Sequence, residues 1–123
     1  MRTDKQKIGD LGEDMAAEYL QQKGYQVIER NFQHNQYELD VICLDKKELV
    51  IVEVKSIRSK RYGSAEGRLS RKKQSSIFKC SYAYLDRRKR FAGLDVRFDV
   101  VCVDLTQYPA RISHYKEAFW ESW

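Results

Sequence analysis

The sequence predicts an α/β protein: a mixed β-sheet flanked by helices, in the order α-β-β-β-α-β. Three observations predict it. Two stretches carry apolar residues at helical spacing, four short runs are rich in β-formers, and the turn residues fall between them. A chain of 123 residues fits one domain, 1–123, and hydrophobic residues at 42% are enough for a core.

The first helix is expected over residues 7–23. Ile8, Leu11, Met15, Ala16, Tyr19 and Leu20 recur at its period, and Gly24 is a natural stop. Gly9 and Gly12 weaken its first turn, which suggests a close backbone approach there. Tyr25–Arg30 reads as a short strand and Asn31–Gln36 as a polar loop. Tyr37–Leu44 and Leu49–Lys55 read as two strands of a hairpin over the four residues Asp45–Glu48. A polar, basic loop follows to residue 67. A second helix is expected over 68–86, with Leu69, Ile77, Cys80, Ser81 and Tyr84 on one face, and then an exposed basic run, Arg87–Arg90. Val96–Leu105 is a buried strand. The tail holds a short last strand near Ile112, followed by Ala118, Phe119, Trp120 and Trp123, which either close the core or form an interface.

Composition excludes several classes. The longest aliphatic runs have four residues, far from the roughly 20 that a membrane helix needs. The N-terminus has no apolar signal region, so the cytoplasm is the expected compartment. Cys43, Cys80 and Cys102 are scattered through apolar stretches with no C-x-x-C pair, which predicts buried free thiols rather than a zinc site or disulfides. The net charge of +5 is uneven. Residues 55–97 hold 14 Lys/Arg against three acids, a local +11 that leaves −6 for the rest. Such asymmetry suits a polyanion partner, although a solvated basic face would look the same.

Strand geometry brings acids together. Residues two apart share a face, so Glu38 and Asp40 point one way and Tyr37, Leu39, Val41 and Cys43 the other. Glu53 and Lys55 also share a face. A hairpin closing symmetrically over Asp45–Glu48 sets Asp40 opposite Glu53 and Glu38 opposite Lys55, with opposed Cβ atoms about 5 Å apart. Two carboxylates that close either share a proton or bind a cation. Hard oxygen donors suit Mg²⁺ or Mn²⁺, which would activate water against a phosphate, with Lys55 steadying the charge that develops. Glu13 would add an acidic ligand if the first helix crosses the sheet; otherwise it is an exposed helix glutamate. Lys73, between Leu69 and Ile77, either snorkels or points at this centre. The bland reading of Glu53 and Lys55 is a strand end turning to water, and that of Glu38 and Lys55 a weak cross-strand ion pair.

Asp40 with Glu53-Val54-Lys55 in this element order resembles the PD-(D/E)xK nuclease superfamily. More closely, the chain is similar to the small bacterial YraN family of endonuclease-like proteins, itself related to archaeal Holliday junction resolvases. The matching pieces span nearly the whole chain: Gly9-x-x-Gly12-Glu13, Ala16-x-x-Tyr19-Leu20, Gly24-Tyr25, Arg30-Asn31, Glu38-Leu39-Asp40, Val52-Glu53-Val54-Lys55, Gly63, Lys73, Arg97-Phe98-Asp99 and Ala118-Phe119. The resemblance implies a restriction-endonuclease-like core and metal-dependent DNA cleavage. It implies Asp40 and Glu53 as metal ligands, Lys55 as the catalytic lysine, Glu13 as the first-helix acid and Lys73 as an extra basic residue. Glu38 matches the glutamate that the family places just before its aspartate. The chain departs from the family at Tyr37, where glycine is usual, at Gln33, where an arginine is usual, and at Arg58, which sits one position late. Leu39 stands where the superfamily has proline.

The leading expectation is therefore an endonuclease acting on double-stranded, branched or otherwise structured DNA in recombination or repair. Arg58, Lys60, Arg61, Arg68, Arg71 and Lys72 would hold phosphates, giving salt-sensitive binding. Nothing in the sequence reads base edges. Symmetric cutting of two strands would call for a homodimer. The alternatives are a non-catalytic DNA-binding accessory module and, more weakly, a ribonuclease on the same centre.

Overall fold

A computed structural model describes residues 3–59 and 66–121. The order is α1 (Asp4–Gln22), β1 (Gln26–His34), β2 (Tyr37–Asp45), β3 (Glu48–Ile57), α2 (Arg71–Arg87), β4 (Asp95–Asp104) and β5 (Arg111–Phe119), with one 3₁₀ turn at Lys89–Phe91. The five strands form one mixed sheet in sequence order. β3 and β4 run parallel across the α2 crossover, and every other neighbouring pair is antiparallel. The expected α/β class and its order hold, with β5 added as a full strand.

The sheet is buried on both faces, which is why β3 and β4 read as near-continuous apolar runs. On one face Ala16 and Leu20 of α1 pack on Val41, Cys43, Val50, Val52, Val101 and Val103. On the other, Ile77, Cys80 and Tyr84 of α2 pack on Ile42, Leu49, Ile51, Val100 and Cys102. All three cysteines are buried and free.

The helices begin and end for local reasons. Thr3 and Gln6 form a reciprocal capping box, so α1 starts at Asp4, three residues before the expected start at residue 7. It stops at Lys23, where Gly24 takes φ 93°. Leu11 departs from the expected core stripe and is half exposed. Of the two early glycines only Gly12 meets close packing: an added Cβ would lie 1.8 Å from Ser56 Oγ, whereas Gly9 has open space. Ser70 caps α2 by accepting from the Lys73 amide, so the helix starts at Arg71 and Leu69 packs from the preceding loop. The expected exposed run Arg87–Arg90 is interrupted by Arg88, which is half-buried and grips Glu29 through both Nε and Nη2.

Three strand expectations change. Asn31–His34 continues β1 instead of forming a loop, and the turn is only Asn35-Gln36, with Asn35 at φ 56°. Asparagine tolerates that left-handed backbone. The second hairpin turns over Lys46-Lys47 and is closed by Asp45 paired with Glu48. Leu39 packs on the α2 face with Phe32 rather than with Val41 and Cys43. At this point the β1–β2 ladder keeps its register from Arg30↔Val41 to Phe32↔Leu39 but skips Asn31, which sits at φ 57°; the register shift lies earlier, between Val27 and Glu29.

Candidate metal centre

The acidic residues converge where β2 and β3 part. Their ladder runs from Asp45↔Glu48 to Val41↔Val52 and stops there, although β3 continues beside β4 to Ile57. Direct opposition of Asp40 to Glu53, and of Glu38 to Lys55, is therefore not formed as ladder pairs. The physical reason is visible at Asp40. Its Oδ2 accepts a hydrogen bond from the Val54 amide at 2.9 Å, so a side chain takes a β3 donor beyond the last ladder pair.

Carboxylate oxygens of Glu13, Glu38 and Asp40 lie within 4.8 Å of one another. α1 brings Glu13 to this point because Gly12 lets the helix backbone settle on Ser56 of β3. Glu13 is held there by Asn31, whose amide donates to its Oε1 at 3.0 Å, and by Arg30 at 3.5 Å. Arg30 is itself anchored on Asp14 at 2.7 Å. Glu53 is buried on β3. Its Oε1 sits 3.1 Å from the Lys73 ammonium, while its buried Oε2 has no hydrogen-bond partner. Lys73 thus points at the centre rather than snorkelling to solvent. Lys55 follows two residues after Glu53, and its ammonium donates to the Glu66 carbonyl at 3.4 Å.

The electrostatics record the crowding. Burial, then the Asp40 charge, raise the Glu13 carboxyl to about 7 against the pull of Arg30. Burial likewise raises Asp40, although the Val54 amide and Lys73 oppose it. Glu53 is raised well above the ordinary range by burial and by Asp40, with Lys73 working the other way. Partial burial opposes the charge on Lys73, yet Glu53, Asp40 and Glu38 outweigh it and raise its pKa. Three carboxylates that resist ionisation, Glu13, Asp40 and Glu53, are a setting in which a cation replaces protons. The donors are all oxygen, and one of them, Glu53 Oε2, is buried and unsatisfied. That set fits a hard divalent ion.

Of the sequence-predicted residues, Glu13, Asp40, Glu53 and Lys73 meet at this centre, and Lys55 extends from the strand that carries Glu53. Glu38 was expected on the Asp40 face but not as a ligand; the alternation of β2 was the signal that could have promoted it. The clamp of Arg30 and Asn31 on Glu13 was not read, because the expected boundary between strand and loop fell between these two residues. Arg58, Arg68, Arg71 and Lys72 are exposed, with Arg68 3.7 Å from Glu66. Lys60 and Arg61 lie outside the described residues, as do Gly63 and Trp123. Among the described residues no helix is long and apolar enough to cross a membrane.

The fold is thus an α/β mixed sheet with a nuclease-like element order, its acids gathered at the parting of a hairpin. Comparison with known proteins gives the family. The model described as "Uncharacterised protein family UPF0102" matches residues 12–103. A UPF0102 protein of Syntrophus aciditrophicus is 42% identical over 117 residues, covering 95% of this chain and 91% of that protein. One from Syntrophomonas wolfei is 38% identical over 92% of this chain and 97% of its own length, and one from Chlorobium chlorochromatii 41% identical over 93% and 92%. The chain belongs to UPF0102, the YraN family that its motifs resemble.

Proposed function

We propose that this protein is a metal-dependent endonuclease that hydrolyses DNA phosphodiester bonds, with branched or structured DNA of recombination or repair as its substrate. The observation that carries the reading is the convergence of Glu13, Glu38 and Asp40 beside a buried Glu53 whose Oε2 has no partner. Asp40 and Glu53 would hold Mg²⁺ or Mn²⁺, with Glu13 and Glu38 completing the acidic shell. When bound, such an ion supplies Lewis-acid polarisation of the phosphate and a more acidic water.

The chain's own residues do the rest. The Val54 amide fixes Asp40 Oδ2 and so orients the carboxylate. Asn31 and Arg30 aim Glu13 at Asp40. The Lys73 ammonium, 3.1 Å from Glu53 Oε1, works against the protonation that burial and Asp40 favour on that acid. Lys55 is the group that would steady negative charge developing on the phosphate. Arg58, Arg68, Arg71 and Lys72, with Lys60 and Arg61, would bind the phosphates of the flanking backbone. The first turn of α2 contains no acid but does contain Arg71, Lys72 and Lys73. Cations there oppose the helix dipole, and a bound phosphate would offset that cost.

A non-catalytic DNA-binding accessory module is the second reading. The Lys73–Glu53 ion pair favours it, because an ammonium can neutralise the buried acid without any metal. Plasmid nicking separates the two. The nuclease reading expects supercoiled plasmid to be nicked with Mg²⁺ or Mn²⁺ and left intact with EDTA. Binding without nicking under every ion condition would favour the accessory module.

A further inference from the structure

A second feature of α2 is not used by the metal centre. Between α2 and the end of β5 lies a groove of about 560 Å³. α2 reaches toward β1 and β2, where Tyr84 meets Phe32 edge-on and the Cys80 thiol contacts the Phe32 carbonyl. Phe98 and Phe119, on β4 and β5, are left to pack beside Phe78 on the flank of α2. These three rings form a braced cluster: Phe78 stands edge-on to Phe98 at 5.0 Å, and Phe98 stacks on Phe119 at 5.3 Å. Phe78 and Phe119 reach the groove wall, and two more aromatic residues line it. Tyr82 and Trp120 are 56% and 70% exposed. Trp120 therefore does not close the core, whereas its neighbour Phe119 does. Arg71 and Lys79 also line the groove. Its acid, Glu121, accepts a hydrogen bond from the Tyr82 hydroxyl.

We propose that this groove binds a single-stranded segment of nucleic acid, taking unpaired bases against Tyr82 and Trp120 and their phosphates on Arg71 and Lys79. Exposed rings interleaved with cations are the chemistry of single-strand binding: every base has a face to stack, and the backbone supplies the anions. An acidic or purely apolar peptide would leave either the rings or the cations unmatched. Length agrees. Arg71 to Tyr82 spans about 16 Å of helix, room for several stacked nucleotides at about 3.4 Å each. Position agrees as well. Arg71 lies two residues from Lys73, which reaches Glu53, so a strand in the groove runs along the helix that helps to build the metal centre. The inference rests on the nuclease reading for its biological use and narrows the substrate to DNA with an unpaired arm next to the bond that is cut.

Fluorescence tests it without the metal centre. Trp120 and Trp123 are the two tryptophans of the chain. The Trp123→Phe variant, in EDTA, is titrated with an oligothymidylate of about 15 nucleotides and with a duplex of equal length. The expected result is quenching of Trp120 emission by the single strand at lower concentration than by the duplex. Tyr82→Ala in the same background should weaken single-strand binding by about tenfold. Tyr82 is exposed, so the thermal melt of the Tyr82→Ala variant should match that of its Trp123→Phe parent. Equal or better quenching by the duplex, or none by either, would overturn the proposal. So would a Trp120→Ala variant that binds the single strand unchanged but turns a dimer into a monomer, which would make the groove a contact between two copies. Plasmid nicking without quenching would remove the groove and leave the nuclease reading; quenching without nicking would do the reverse.

Discussion

Glu13 carries a proton at neutral pH more readily than a surface glutamate does, and this has a consequence for stability. Its carboxyl rises from 4.5 to about 7, first through burial and then through Asp40. In that window the folded protein holds a proton that the unfolded chain has released. Stability of the metal-free protein therefore falls as pH rises from 4.5 to 7, and Asp40 and Glu53 act in the same direction. Thermal melts in EDTA should give a higher Tm at pH 5 than at pH 8. Glu13→Gln should flatten the profile, and Mn²⁺ should raise the value at pH 8. Asp99 behaves oppositely. Burial works against its charge, but His114, Arg97 and the Glu117 amide prevail and hold its pKa below 3.8. Its contribution is present above that value and is lost as pH falls through the folded pKa. Arg97, which also reaches Asp45, Glu48 and the Tyr25 hydroxyl, is its main counter-charge. Arg97→Met should cost about 3–5 kcal/mol in urea unfolding, because it leaves Asp99 buried with half its partners. At this scale the acids and Lys73 were legible from alternation and helical spacing. The Asn31–Glu13 contact was not, since it depends on a left-handed residue that no periodicity announces.

The elements place the centre through two local devices, the parting of β2 from β3 and the seat of α1 on β3. The hairpin register was readable because five consecutive pairs follow from one turn. Its end was not, because the Asp40 carboxylate takes the Val54 amide beyond the last pair. β5 was underread for a similar reason. Its polar pattern hides a full edge strand whose irregularity near Glu117, at φ 47°, lets that amide reach Asp99. Gly12 gives the sharpest test of how the helix is seated. Gly12→Ala puts a Cβ against Ser56 Oγ, so α1 must shift and carry Glu13 away from Asp40. Mn²⁺ affinity measured by calorimetry should fall by about tenfold, the scale of a disturbed ligand support. Adding Ser56→Ala removes the nearest clashing atom and should restore most of it. Two independent losses would contradict the close approach.

For the whole molecule, the charge asymmetry of the sequence appears as a converging cluster of acids and a set of exposed cations, Arg58, Arg68, Arg71 and Lys72. If those cations hold phosphates, DNA affinity falls steeply with salt. The joint substitution Arg71→Ala with Lys72→Ala should lower the salt slope by about 1.8 without abolishing the Mn²⁺ site. Lys55→Ala should reduce the cleavage rate by about 100-fold or more while KM changes little, as expected of a group that acts on developing charge. An ion held by these acids is what would cut DNA. The most direct test incubates the wild type and Asp40→Ala with labelled four-way-junction, flap, nicked and linear DNA, each with Mg²⁺, Mn²⁺ or EDTA. The account predicts cleavage by the wild type with either ion, strongest on branched or flapped DNA, and none with EDTA or with Asp40→Ala. Salt-sensitive binding by both proteins with no cleavage of any substrate would contradict it, and the converging carboxylates would then be a structural feature of a DNA-binding module.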